Sequence, residues 1–260
     1  MDRRKLVYIG ILLLSIVLIC SAYSSELSRW LSFGKENAPK ERKEDVFKNP
    51  VFHDVKPQKW FPFNRENALK EWQEKVFRGR VLYAVKPRKE IGYLSAQSDQ
   101  TCSGLVYHIR FDPRKFPMIS WNWKVLKFPA KNEPPQKGKG KERGWIERDD
   151  YAARVYVIFL SWNFMNIHSL EYVWDENLPE ETIISSPYFS NLKLIVVESG
   201  KKNMDDWVFE KRNIYNDYKK AFGRAPNRPV GAIALMTDSD NTVSTAEALY
   251  MDIKVGYKDE

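Results

Sequence analysis

From residue 80 to residue 255 the chain divides into ten short runs in which apolar and aromatic side chains recur at alternate positions. They cover residues 80–85, 91–98, 103–111, 118–128, 149–160, 169–176, 193–199, 207–214, 230–238 and 247–255. A period of two places successive side chains on opposite faces of a strand. Ten such runs separated by turn residues specify an antiparallel sandwich or barrel, not alternating strand–helix units. One helix interrupts them: Ile214, Tyr218 and Phe222 recur every fourth residue, and Gly223 stops the pattern. A hydrophobic fraction of 43%, with 14% aromatics, is ample to fill a core and excludes a disordered chain.

The first residues read differently. A basic pentapeptide, MDRRK, precedes 18 uncharged positions from Leu6 to Tyr23. That length lies between the core of a signal peptide and a membrane span of about 20 residues. The basic flank stays in the cytoplasm, so the remainder is exported. Residues 1–25 are therefore expected to be a signal anchor or a signal peptide. The expected location is the bacterial inner membrane, crossed once, with the domain in the periplasm; cleavage would release it there. The net charge of +8 is concentrated in lysine-rich turns, above all "KNEPPQKGKGKERG". For an exported chain, anionic lipid or envelope polysaccharide is a better partner for such turns than nucleic acid. Solvated loops are the plainer explanation.

Residues 30–57 and 60–87 are copies of one another, identical at 14 of 28 positions. Two copies do not make a solenoid, which needs about three repeats. In the second copy Leu69, Trp72 and Val76 form an apolar stripe suited to a short helix or turn. The first copy has Pro39, Arg42 and Val46 there, with Pro50 ahead of its strand, and proline and charge degrade both helix and packing face. The folded domain is accordingly expected over residues 60–257, with residues 26–59 a tether holding a degenerate copy of its entrance.

Alternation also sorts side chains onto faces. In residues 149–160, Tyr151, Ala153, Val155, Val157 and Phe159 point to the core, and Asp150, Ala152, Arg154 and Tyr156 point away. A buried Asp-Arg-Tyr row is costly without partners, so it faces water or a polar site. Trp121 with Trp123, and Tyr172 with Trp174, share faces that suit a core or a sugar platform. The stretch "MTDSDNT" (Met236 to Thr242) gathers acidic side chains at the end of a strand. Counted from Asp238, an EF-hand would need glycine at Val243 and glutamate at Leu249, so that motif is rejected. Asp238 and Asp240 remain candidates for a structural calcium, against the simpler reading of short polar side chains bonding their own turn. No G-x-S-x-G, P-loop or dinucleotide fingerprint occurs, which argues against serine-hydrolase and nucleotide chemistry. Arg154, Arg212, Asp150 and Asp238 could also form one charge network across neighbouring strands.

The ordered set "WNWKV", "RDDYAARVYVIF", "YVW", "VESG", the spacing from Trp207 to Gly223, and "MTDSDNT…A…YMDI" resembles the bacterial domain-of-unknown-function family numbered 3047. The resemblance covers roughly residues 60–256 and implies an exported β-sandwich of jelly-roll type, with no activity to carry over. The final "ALYMDIKV" is also similar to the closing strand of galactose-binding-like carbohydrate modules. The duplicated entrance and the basic insertion before Asp149 depart from the family pattern.

Together these readings predict an all-β, antiparallel jelly-roll-type β-sandwich with one short helix, preceded by an N-terminal transmembrane or signal helix. The expected function is a non-catalytic binding module of the cell envelope, anchored to the membrane, with carbohydrate as the natural ligand class. A glycan-active hydrolase using two aspartates and a purely structural envelope protein are the alternatives. The ligand-binding candidates are Asp150, Arg154, Tyr156, Trp174, Arg212, Asp238, Asp240 and Asn241. No residue is assigned a catalytic role, and no cofactor is expected beyond the calcium considered for Asp238 and Asp240.

Overall fold

The computed structural model describes residues 58–131, 149–161, 166–186 and 189–259. The expected membrane or signal segment, almost all of the tether, and the basic insertion at 132–148 lie outside the described residues. Among the described residues no helix is long and apolar enough to cross a membrane.

The described residues form thirteen strands: β1 (Lys59–Phe61), β2 (Gln73–Arg78), β3 (Leu82–Lys86), β4 (Tyr93–Asp99), β5 (Cys102–Phe111), β6 (Met118–Lys127), β7 (Arg154–Phe159), β8 (His168–Asp175), β9 (Ile183–Ser185), β10 (Leu192–Ser199), β11 (Val208–Asn213), β12 (Val230–Asp238) and β13 (Thr245–Tyr257). They form two sheets. The first runs β11-β6-β13-β4-β3, with β1 also paired to β13; the second runs β2-β5-β12-β7-β8-β10-β9. Pairing is antiparallel except that β10 lies parallel to β8, which corrects the expectation of a purely antiparallel sandwich. Residues 176–191 are long enough for the return crossover, which takes a dozen or more residues.

Two local readings also change. The stripe of Leu69, Trp72 and Val76 reaches only a 3-10 turn at Glu66–Leu69, because β2 begins at Gln73. Trp72 still enters the core, edge-on to Phe61 at 4.9 Å, while Val76 is left 40% exposed. The run at 149–160 becomes strand only from Arg154; Tyr151, Ala152 and Ala153 are all buried ahead of it, outside the alternation.

The core lies between the sheets, and its centre is aromatic. Trp121 and Trp123 of β6 meet Tyr172 and Trp174 of β8 across the gap, at ring distances of 5.3 and 6.0 Å. All four are fully buried, so the choice between core and sugar platform resolves as core. Tyr250 of β13 reaches from the first sheet and donates its hydroxyl to the Met236 carbonyl of the second, at 2.6 Å. The helix α1 (Ile214–Phe222) closes one side of the sandwich. The Asn213 side chain caps its start by accepting from the Asn216 N–H, and Gly223 ends it at φ 69°, a left-handed conformation that glycine adopts without strain.

The two sheets differ on their outer faces. In β4 and β13 of the first sheet, buried and accessible residues largely alternate, as a half-solvated sheet requires. In the second sheet all nine residues of β12 are buried. A second apolar cluster, including Val106, Val173, Leu194, Val196, Ala234 and Met236, is distinct from the inter-sheet core and collects side chains from its central strands.

Truncating Trp123 removes a fully buried ring that contacts both Trp121 and Trp174. Trp123→Ala is expected to cost about 3–5 kcal/mol, measured by urea unfolding.

Candidate functional site

The acidic turn after β12 and the segment that opens β7 do meet. Asp150 accepts from the Asn241 N–H and side-chain amide at 3.3 and 3.2 Å, and from the Thr242 N–H and hydroxyl, both at 2.6 Å. One carboxylate therefore takes up the donors of a tight turn that β12 and β13 share. The turn is strained: Val243, a β-branched residue, sits at φ 50°, and its side chain is 61% exposed. Asp150 supplies the bonds that hold it there.

Next to this clamp lies a buried guanidinium. Arg154 is fully enclosed, and Asp238 grips it through both carboxylate oxygens at 2.9 and 2.8 Å. Glu171 of β8 accepts from it at 2.8 Å, the Tyr156 hydroxyl at 3.2 Å, and the Asp149 carbonyl takes a further bond. Burial works against the charge on Arg154, but Asp238, Tyr156, Glu171 and Asp149 outweigh it and raise its pKa. One guanidinium cannot balance three ionised carboxylates in a dry site. The Asp149 carboxyl is the one left out: its nearer oxygen stands 3.9 Å from Arg154 and the other has no hydrogen-bond partner. Its pKa is pushed up to about 8, chiefly by burial and further by Glu171 and Asp150, against the pull of Arg154. Lys131 and Asp175 pair alongside at 3.0 Å, both almost fully enclosed. The Tyr151 ring receives both cations, Lys131 at 3.7 Å and Arg154 at 4.6 Å.

The eight candidates thus separate. Asp150, Arg154, Tyr156, Asp238, Asp240 and Asn241 gather at one end of the second sheet, and all but Asn241 are buried. Trp174 belongs to the core and donates its indole N–H to the Gly200 carbonyl at 2.9 Å. Arg212 does not join the Arg154 network: it holds Asp217 of α1 through two bonds, at 3.0 and 2.9 Å, and pairs with Glu181. Glu171 escapes sequence reasoning; its signal is a carboxylate on the outward face of β8, the face it shares with Ser169, Val173 and Asp175.

For a metal, Asp238, Asp240 and the Cys102 sulfur lie within 4.8 Å of one another. Asp238 already serves Arg154 and the Tyr151 N–H. These side chains supply two carboxylates, whereas calcium takes about six to eight oxygen ligands. Asp240 is pushed up to about 7 by burial and by Asp150, with Arg78 at 3.8 Å opposing.

A row of aromatic side chains that reach solvent stands on the other sheet. On the outer face of the first sheet Phe209, Asn122, Met251 and Tyr93 align across β11, β6, β13 and β4. That row spans about 14 Å at the usual strand spacing of about 4.8 Å. Trp207, just before β11, meets Tyr93 edge-on at 6.0 Å. Lys124 stands over Trp207 at 5.5 Å and Arg88 over Tyr93 at 5.2 Å. Tyr93, Trp207 and Met251 are half-buried, and Phe209 is 57% exposed.

Comparison with known proteins agrees with the resemblance read from the motifs. The family model described as "Protein of unknown function (DUF3047)" matches residues 70–254, and the chain belongs to that family. No curated protein matches the chain. Among solved structures it is similar to the family 11 carbohydrate-binding module of a cellulosomal cellulase of Clostridium thermocellum. That match is 12% identical at a TM-score of 0.37, covering 73% of this chain and 89% of that one. It is also similar to the xyloglucanase domain of a type three effector from Sinorhizobium fredii, 12% identical at a TM-score of 0.43, covering 72% and 91%.

Two outcomes follow from the clamp and the cluster. Asp150→Ala strips four donors of their acceptor and should lower stability by on the order of 3 kcal/mol in urea unfolding, while Asp150→Asn, keeping one acceptor oxygen, should lower it less. Because the folded-state pKa of Asp149 is raised, its contribution is complete below about pH 4 and lost as pH rises through about 8. Asp149→Asn should therefore gain on the parent chain steadily between those limits, in thermal melts run across that range.

Proposed function

We propose that this family member is a non-catalytic binding module for carbohydrate of the cell envelope, exported and held at the membrane by its N-terminal segment. The reading rests on one contrast. The carboxylates a hydrolase would need, Asp149, Asp150, Asp217, Asp238 and Asp240, are each at most 3% exposed, and Asp150, Asp217 and Asp238 are engaged in holding a turn and two guanidinium groups. An accessible aromatic strip lies instead on the outer face of the first sheet. There Tyr93, Trp207 and Phe209 offer ring faces and edges for the apolar faces of sugar rings. Asn122, Lys124 and Arg88 stand close enough to bond the hydroxyls around them. A partly apolar strip with few polar groups at its margin is the general make-up of a ligand site. Export and anchoring rest on the charge and length of residues 1–25, and the cationic rim suits an acidic polysaccharide.

A glycan array followed by titration calorimetry tests the assignment. Binding of an envelope polysaccharide is expected, and Trp207→Ala or Tyr93→Ala should weaken it roughly 30-fold, the loss typical of a dominant contact residue worth about 2 kcal/mol. Asp149→Asn should leave binding unchanged. Release of reducing sugar from the same polysaccharide would overturn the non-catalytic assignment.

A further inference from the structure

A separate cavity of about 380 Å³ opens where β7 ends, β8 begins and the loop from α1 enters β12. It lies at the opposite end of β12 from Asp238, about 26 Å away at about 3.3 Å per residue. Its size falls in the range of small-molecule sites, about 300–1,000 Å³.

The lining has one sign of charge. Arg224 and Arg228 contribute guanidinium groups, Asn191 and Asn227 carboxamides, and Tyr218 and His168 ring heteroatoms; among the described residues no aspartate or glutamate lines the cavity. Among the described residues neither arginine is paired with a carboxylate; Arg224 approaches His168 instead. The loop that carries them is stiffened by Pro226 and Pro229, both buried, and pinned by the bond from the Leu160 N–H to the Pro229 carbonyl at 2.9 Å.

The histidine shows how the donors are aimed. Arginine only donates, so the 3.4 Å approach of the Arg224 Nη2 to His168 makes Nε2 the acceptor. The ring proton then sits on Nδ1 and is donated to the Tyr218 hydroxyl oxygen at 2.8 Å. With its oxygen accepting, Tyr218 has its own proton left to donate. His168 stays neutral, its pKa lowered to about 4 by burial, then by Arg224 and Lys193. The wall therefore presents two cations and a set of neutral donors.

We propose that this cavity binds a small polyhydroxylated molecule carrying one carboxylate or phosphate group. The oxyanion is held by Arg224 and Arg228, and the hydroxyls by Tyr218 and Asn227. Paired guanidinium forks match both oxyanions in geometry. This site is independent of the aromatic strip on the first sheet and would stand if that reading failed.

The test is titration calorimetry of the full chain in chloride buffer at constant ionic strength, with glucuronate, glucose 6-phosphate and glucose as probes. One of the two anions is expected to bind saturably, and glucose about tenfold more weakly or less; the tighter anion identifies carboxylate or phosphate as the recognised group. The paired substitution Arg224→Ala and Arg228→Ala, at accessible positions, should reduce anion binding by about tenfold or more at unchanged melting temperature. Tyr218→Phe, which keeps the ring against Phe159 and Phe222, should weaken it severalfold. Trp207→Ala should leave it untouched. Failure of both anions to saturate, or equal anion binding by the arginine double variant, would overturn the proposal.

Discussion

The guanidinium of Arg154 binds together three strands of the second sheet, and the Tyr156 hydroxyl adds a bond from β7 to Glu171 of β8 at 3.0 Å. Arg154 belongs to β7, its bidentate partner Asp238 closes β12, and Glu171 stands on β8. The carbonyl of Asp149 brings in the segment that precedes β7, and the neighbouring Asp150 fixes the turn between β12 and β13. A charge this deeply buried is tolerable only because nearly every donor it carries has an acceptor. Removing one member of such a buried pair typically costs about 3–5 kcal/mol, since the other is left charged and unpaired. The cluster thus fixes the register of β7 against β12 and β8, and with it where the aromatic core residues of β8 meet those of β6.

Much of this architecture is written in the alternation of apolar residues. β4, β5, β6, β8, β10, β11, β12 and β13 fall within or close to runs visible in the sequence, and α1 is marked by Ile214, Tyr218, Phe222 and Gly223. What the pattern does not carry is pairing. Parallel neighbours, β8 and β10, look the same as antiparallel ones in a one-dimensional period. The short β9 is absent from the runs because three half-buried or exposed residues at a sheet edge need no periodic pattern. The run at 149–160 misleads because buried turn residues there, Tyr151 to Ala153, mimic a strand.

The candidate residues were legible as a group but not as a kind. Acidic and basic side chains on "RDDYAAR" and "MTDSDNT" do converge, and their types alone cannot say whether water reaches them. Arg212 illustrates the limit. Its partner Asp217 is only five residues away, on the first turns of the helix that follows, and that local pairing outcompetes a network across strands. The strip of Tyr93, Trp207 and Phe209 is harder still to read, since its members come from different strands and become neighbours only through the pairing of β11, β6, β13 and β4.

The position of β13 has a consequence for how the molecule is made. It is the last of the described strands, yet it lies in the middle of the first sheet, pairing with β1, β4 and β6. Until Thr245–Tyr257 has left the ribosome, β6 and β4 have no strand between them and β1 has no neighbour. The sandwich must therefore close late, from contacts distant along the chain, which is a slow route. Growing chains pass through a long interval with sticky strand edges exposed, the state that chaperones recognise. A chain that crosses a membrane before folding gains from this delay, because it reaches the far side still threadable.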